Sequence, residues 1–219
     1  MERQLPFEFR SHGGARLRAG RKRSIPGRER VPHRTRPRHN HAHPAHVTLR
    51  ARGGLPSFRH AGMFALVREA IRKASGEVFR VVAFSIQDDH AHFIIEADDK
   101  KSLSSGLRGL AIRLARAVNG ALGISGQVWD DRYHARDLKT PLIVRTAIVY
   151  VLMNAKKHHA AIDSGVDAFS SAPWFDGFEG RVEPPDEPSP VCASRTWLGG
   201  TGWRRRGLVR FDEQPRAPG

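Results

Sequence analysis

Two histidines, one residue apart, open an apolar segment in the middle of the chain. The segment from residue 87 to residue 97 reads QDDHAHFIIEA, and it carries His90 and His92. If it forms a β-strand, the alternation of side chains puts both imidazoles on one face, about 6–7 Å apart. That spacing lets both rings bind one metal ion. However, two histidines on a strand are more often surface residues than ligands. Other residues of the chain are therefore needed to distinguish a metal site from a surface pair.

A second set of polar side chains falls in the apolar segment PLIVRTAIVYVLMNAKKHHA, which covers residues 141–160. Tyr150, Asn154 and His158 are four residues apart, so in a helix they would form one stripe, each about 6 Å above the last. A phenol becomes a nucleophile once it is ionised or activated. The plainer interpretation is that Tyr150 is a half-buried aromatic residue and that Asn154 begins the polar end of the helix.

The elements that would position these side chains follow from the apolar patterns. Alternation predicts strands and the 3.6-residue period predicts helices. The predicted strands cover residues 45–52, 79–87, 90–97 and 127–138, the last as a strand or an extended arm, and the predicted helices cover 57–75, 101–121 and 141–160. This βαββαβ order with a final helix predicts an α+β fold, a ferredoxin-like antiparallel sheet with an additional C-terminal helix that carries the candidate nucleophile.

Composition limits the partners and the ligands. The 219 residues carry a formal net charge of +15, which attracts polyanions such as nucleic acid or an anionic membrane. No apolar run reaches the roughly 20 residues of a membrane span, and the basic N-terminus lacks the apolar part of a signal peptide. We therefore expect a cytoplasmic protein with no membrane partner. Because Cys192 is the single cysteine, any metal site would use histidine, carboxylate or amide ligands.

Changes in composition predict three regions. Residues 1–42 are rich in Arg, His, Gly and Pro, so we expect a mostly disordered basic arm, either a solubilising leader or a nucleic-acid-binding segment. Residues 43–162 hold the predicted strands and helices and form the candidate catalytic domain. Residues 163–219 are a C-terminal extension that we expect to be partly disordered.

The histidine pair and the later helical tyrosine together resemble a known family. His90-Ala91-His92 on a strand, followed by Tyr150 and Asn154 on a helix, is similar to the HUH-type single-tyrosine transposases, above all the REP-associated tyrosine transposase branch. The stretches HVT in the first strand and VWDDRYHARDL before the last helix are similar too. The chain departs from the family in having DD before the histidines, where a proline and an asparagine are common, and NA in place of an Asn-Pro step.

The resemblance implies a DNA transposition and recombination enzyme that acts on single-stranded or hairpin DNA near the nucleoid. Tyr150 would attack a phosphodiester and form a 5′-phosphotyrosine, which another 3′-hydroxyl then rejoins. His90, His92 and Asn154 would hold a divalent metal ion, Mg²⁺ or Mn²⁺. His158 would be a further ligand, a proton carrier or a phosphate contact.

Tyr150 and Tyr133 are the only tyrosines, so they are the only candidates for a tyrosine nucleophile. We prefer Tyr150, because one helical turn separates it from Asn154 and would set the phenol beside the metal. Tyr133 would instead pack in the domain or contact DNA.

Basic side chains would form the groove that follows the DNA backbone, although a solvated cationic surface is an equal alternative for any one of them. The candidates are Arg50, Arg52, Arg108, Arg113, Arg116, Arg132, Lys156 and Lys157. Two other functions stay open: a catalytically inactive or domesticated protein that binds DNA or RNA hairpins, and a metal protein unrelated to nucleic acid. The protein would be a monomer or a homodimer, with the site completed by its own helix or by a partner's.

Overall fold

The computed structural model describes residues 38–158, without the side chain of His158, and residues 165–216. Most of the predicted basic arm, residues 1–42, therefore lies outside the described residues. The end of that range is described. The imidazole of His39 contacts the Asp137 carboxylate at 2.8 Å and the Ala97 carbonyl oxygen at 3.1 Å.

A four-stranded antiparallel sheet forms the centre of the described part. Its strands are β1 (Ala45–Arg50), β2 (Phe79–Ile86), β3 (His90–Ala97) and β4 (His134–Asp137). Their order across the sheet is β2-β3-β1-β4, and each neighbouring pair is antiparallel. The predicted α+β fold with an antiparallel sheet is confirmed, and the strand order is the one that two crossovers around a β2–β3 hairpin produce.

Two helices cover one face of this sheet, namely α1 (Ala61–Arg72) and α2 (Lys100–Leu122). The Asp99 side chain caps α2 by accepting a hydrogen bond from the Ser102 backbone N–H, and Gly123 ends it in the left-handed conformation. The predicted start of α1 at Ser57 is wrong. The Ser57 hydroxyl instead donates to the Asp88 carboxylate and accepts from the Arg59 backbone N–H, so it closes a turn before the helix.

The opposite face is covered by α3 (Pro141–Leu152), followed by the short helix α4 (Ala155–His158). The prediction of one continuous helix over residues 141–160 is wrong, because the helix is interrupted at residues 153–154. Up to Met153 the backbone N–H groups bond four residues back, whereas those of Lys156 and Lys157 bond three residues back. The tighter spacing ends the α-helix just before Asn154.

The described residues after α4 belong to the same compact unit as the sheet. They contain the short helix α5 (Trp197–Gly200) and two 3₁₀ turns, Ala172–Trp174 and Gly202–Arg206. Phe178, Leu198 and Trp203 are buried with α3 in a second hydrophobic core, on the side of the sheet away from α1 and α2. Residues 165–216, predicted as a partly disordered extension, thus complete the layer that contains α3.

Candidate active site

Strand parity decides which side chains face α3. On β1 and β3, the residues Val47, Leu49, Phe93 and Ile95 belong to the core beneath α1 and α2. The intervening residues of the same strands, His46, Thr48, His90 and His92, therefore face the layer of α3. Thr48 lies directly opposite His92 in the register of the two strands.

Four rings meet on this face of the sheet. The ring centroids of His90 and His92 are 4.9 Å apart, and those of His46 and His92 are 5.3 Å apart. From α3, the phenol ring of Tyr150 lies 5.0 Å from the His92 centroid and 5.5 Å from the His46 centroid. We call these four residues the histidine–tyrosine cluster. It brings a tyrosine of a helix against two histidines of the sheet.

Hydrogen bonds orient both histidines of the predicted pair. Nδ1 of His90 is 2.7 Å from a carboxylate oxygen of Asp89. Because an ionised carboxylate only accepts, this nitrogen carries the hydrogen and the lone pair of the ring is on Nε2. Partial burial opposes ionisation of Asp89, but the bond from His90 and the charge of Arg50 together lower the pKa of its carboxyl. Nδ1 of His92 is 3.1 Å from the Thr48 hydroxyl. When that hydroxyl accepts, Nδ1 of His92 also carries the hydrogen and Nε2 has the lone pair.

His46 is a site residue that the sequence analysis did not predict. Its side chain is 8% exposed. Burial, and then the nearby positive charges of His134 and Arg136, lower its pKa to about 4, so its imidazole is neutral at pH 7. The alternation of side chains along β1 could have identified His46. It puts His46 on the same face as Thr48, and Thr48 pairs with His92.

Asn154, the predicted third metal ligand, is fully buried immediately after α3. Neither its amide oxygen nor its amide nitrogen makes a hydrogen bond within the described residues. A buried amide without partners is costly, so an amide in this state is suited to a ligand that the protein binds. That its oxygen meets the two imidazoles at one point remains a prediction. Among the described residues, no group of three or more His, Cys, Asp or Glu side chains is placed to hold a metal ion.

Lys157 of α4 reaches the cluster from the solvent side. Its ammonium nitrogen is 4.8 Å from the centroid of the Tyr150 ring, within the range of a cation–π contact. The neighbouring Lys156 is half-buried and donates to the backbone carbonyl of Phe211, and its contact with DNA stays a prediction. His158 ends α4, and its side chain lies outside the described residues.

The two tyrosines lie on opposite faces of the sheet. Tyr150 packs with the core that contains α3, whereas Tyr133 packs against the core beneath α1 and α2. Tyr150 therefore contacts the histidines and Tyr133 belongs to the other layer.

The other predicted DNA-binding residues are exposed. Arg50 is at the end of β1 opposite His90, and its guanidinium is 3.0 Å from the Asp89 carboxylate. The remaining exposed members of the set are Arg52, Arg108, Arg113, Arg116 and Arg132. Arg50 and Lys157 thus flank the histidine–tyrosine cluster, while Arg108, Arg113 and Arg116 lie on α2.

The fold is similar to that of a solved structure, a REP-associated tyrosine transposase bound to a REP hairpin, with a TM-score of 0.53. The match covers 65% of this chain and 83% of that chain, at 18% sequence identity. No family model matches the sequence, and neither does any curated protein. The resemblance predicted from the sequence is therefore confirmed at the level of the fold. No helix among the described residues has the length and apolarity needed to cross a membrane.

Proposed function

We propose that the protein is a metal-dependent DNA endonuclease and strand transferase that nicks and rejoins single-stranded or hairpin DNA through Tyr150. The observation that carries this proposal is the contact of the Tyr150 ring with His92 and His46. Tyr150 and His92 come from different layers and are 58 residues apart in sequence. The contact supports the proposal because it sets Tyr150 beside His92, whose ring is 4.9 Å from that of His90, the other proposed metal ligand.

Two imidazoles and one amide oxygen would leave a divalent cation with open positions that substrate oxygens can occupy. His90 and His92 would bind Mg²⁺ or Mn²⁺ through Nε2, with the amide oxygen of Asn154 as the third ligand, since the Nδ1 atoms already have partners. The buried amide of Asn154 supports this assignment, because none of the described residues satisfies it. When bound, the ion would polarise the phosphorus and balance the negative charge that develops on the phosphate oxygens.

The covalent step belongs to Tyr150. Its hydroxyl oxygen attacks the phosphorus, a Tyr–O–P bond forms, and the bond from phosphorus to the 3′ oxygen breaks. The phenolic proton is lost as the attack proceeds, and the departing 3′ oxygen takes up a proton to become a hydroxyl. Attack of another 3′-hydroxyl on the 5′-phosphotyrosine reverses these changes and completes strand transfer.

Lys157 and Arg50 would hold the DNA and stabilise the reacting groups. The Lys157 ammonium, 4.8 Å from the centroid of the Tyr150 ring, would attract a phosphate to the side of the proposed nucleophile. Arg50 is exposed beside Asp89 and His90, where a backbone phosphate would approach. That the similar solved structure holds a hairpin supports hairpin DNA as the partner.

One observation favours the alternative, a related protein that binds hairpins without cutting them. α3 ends at Leu152, so Asn154 follows the helix that carries Tyr150 and is not part of it. A site that had lost its metal would retain the cationic surface and the fold, so binding would persist without chemistry.

The experiment incubates labelled hairpin DNA that carries single-stranded flanks with the protein and Mn²⁺, and separates covalent adducts on a denaturing gel. We expect an adduct with the wild type and with Tyr133→Phe, and none with Tyr150→Phe. An adduct that persists in Tyr150→Phe but vanishes in Tyr133→Phe would contradict the assignment of the nucleophile. DNA binding with no adduct in any of the three would support the binding-only alternative.

A further inference from the structure

Gln87, directly after β2, faces the same side of the sheet as the histidine pair. Its backbone N–H donates to the His90 carbonyl oxygen at 2.8 Å, so the two residues lie opposite each other across the hairpin. Ser85 lies opposite His92 in the register of β2 and β3. Alternation puts Ala83 on the same face as Ser85 and Gln87, and Ala83 packs in the core that contains α3. Gln87 therefore belongs to the layer of α3.

The amide of Gln87 is buried and only partly bonded. The residue is 1% exposed, and its Nε2 donates a hydrogen bond of 2.6 Å to the hydroxyl of Ser85, which is fully buried. The amide oxygen is enclosed as well, but it accepts no hydrogen bond from the described residues. Leucine or methionine would fill this space without an unpartnered polar atom. The glutamine thus carries a cost that a bound ligand would remove.

The segment that follows α4 covers the outer edge of β2. The Ile86 N–H donates to the Phe169 carbonyl oxygen at 2.9 Å, and Ser85 pairs with Ser170 in an isolated bridge. The inner neighbour of β2 is β3, the strand of the histidine pair. We therefore expect a ligand of the Gln87 amide oxygen on the side of these histidines.

Gln87 and Asn154 are in the same state, although they come from different layers. The Asn154 side chain is fully buried, and neither of its amide atoms has a partner among the described residues. An amide oxygen is a neutral oxygen ligand of the kind that Mg²⁺ and Mn²⁺ accept. Two imidazoles and two amides would leave an octahedral ion with two positions for phosphate oxygens. Because all four groups are neutral, the ion would keep its full charge for the phosphate.

We propose that Gln87 is a fourth protein ligand of the divalent ion, through its amide oxygen, beside His90, His92 and Asn154. The inference rests on the proposed function and extends its site to β2. A purely structural role, in which Gln87 only ties the end of β2 to Ser85, makes different predictions for metal binding and for stability.

The test compares Mn²⁺ binding by DNA-free variants, measured from the electron paramagnetic resonance signal of the unbound ion. Gln87→Met fills the same space without an oxygen, and the affinity should fall about ten-fold or more. Gln87→Asn keeps the amide but withdraws it by one CH₂ group, so it should also weaken binding, and it covers a failure of Gln87→Met to fold. Gln87→Glu keeps an oxygen at the same reach and adds a negative charge. It should bind Mn²⁺ at least as tightly as the wild type.

Stability without metal separates a ligand from a structural residue. In Gln87→Met the lost bond to Ser85 is offset by the removal of an unpartnered oxygen, so the urea midpoint should stay close to that of the wild type. A structural residue would give the reverse, a lower midpoint with unchanged Mn²⁺ affinity. The matched control is Asn119→Leu, because that amide oxygen is also buried without a described partner but lies on α2, on the other face of the sheet. It should bind Mn²⁺ like the wild type.

Comparison with His90→Ala distinguishes failure of this inference from failure of the metal site. Wild-type Mn²⁺ affinity in both Gln87→Met and Gln87→Asn, together with weakened binding in His90→Ala, would overturn the role of Gln87 and leave the proposed function standing. Equal binding by His90→Ala and the wild type, or no binding by the wild type, would overturn both the role of Gln87 and the proposed metal site.

Discussion

At the scale of single residues, the buried imidazole of His46 makes stability depend on pH. Its pKa is lowered to about 4 in the folded protein, against 6.5 for the free side chain. Between these values the unfolded chain binds a proton that the folded protein does not, so acid favours unfolding. We expect the free energy of unfolding to fall by about 3 kcal/mol from this group as the pH drops from above 6.5 to below 4.

Urea unfolding of the metal-free protein across this pH range measures the effect. In His46→Gln the contribution is absent, so the wild type should lose more stability than the variant over the same interval. Identical pH dependence in the two proteins would show that His46 is not buried as a neutral ring.

Asp89 provides a second prediction at this scale, because it fixes the tautomer and orientation of His90. Asp89→Asn removes the charge that holds the hydrogen on Nδ1, and loss of such a partner typically weakens metal binding by about 10-fold to 100-fold. Calorimetric titration with Mn²⁺ measures the change. The control is Asp98→Asn, an exposed carboxylate beyond the other end of β3. Equal Mn²⁺ affinities for the two variants would contradict a metal site at His90.

At the scale of elements, Glu96 ties the C-terminal segment to the sheet. This β3 carboxylate is 1% exposed and accepts hydrogen bonds from the backbone N–H groups of Arg195 and Thr196 and from the hydroxyls of Ser194 and Thr196. Arg80 supplies the nearby positive charge at 3.6 Å. The segment that ends in α5 and Trp203 is thereby fixed next to α3, the helix that carries Tyr150.

Glu96→Gln should release this segment. The amide cannot accept all of these bonds, and it leaves Arg80 with only the exposed Asp98 carboxylate, 3.8 Å away, as a counter-charge. We expect a loss of about 3 kcal/mol. Urea unfolding measures the loss, and limited trypsin digestion should cut faster after Arg195 and Arg204. Glu183→Gln, an exposed control, should stay within about 0.5 kcal/mol of the wild type. Matching stabilities for the two variants would show that Glu96 does not hold the segment.

The elements also show where reasoning from sequence succeeds. Alternation in β1, the β-branched and aromatic residues of β2 and the leucine stripe of α2 predicted these elements, because each pattern is typical of its secondary structure. The break after Leu152 had no such signal. Residues 141–152 and 155–158 are both helical, and only the two buried residues Met153 and Asn154 separate them.

At the scale of the whole molecule, the part of the second layer that follows α3 could not be predicted as an ordered layer. Residues 165–216 are rich in Gly and Pro and have no regular apolar period, so their burial depends on distant partners. Glu96 and Ser194 are 98 positions apart, and Arg59 binds the Asp167 carboxylate across 108 positions. Contacts between residues distant in sequence also explain why only part of the candidate site could be predicted. The pattern predicted His90, His92 and Tyr150, whereas His46 and Thr48 enter through strand pairing.

The central claim is that the histidines of the sheet and the tyrosine of α3 act on one phosphodiester. The most direct test is a crystal structure of Tyr150→Phe with uncleaved hairpin DNA and Mn²⁺, with the metal located by anomalous scattering. The account predicts one Mn²⁺ within about 2.3 Å of Nε2 of His90 and of His92 and of a phosphate oxygen, with the ring at position 150 facing that phosphorus. A metal bound away from these imidazoles, or a phosphodiester that lies out of reach of position 150, would contradict it.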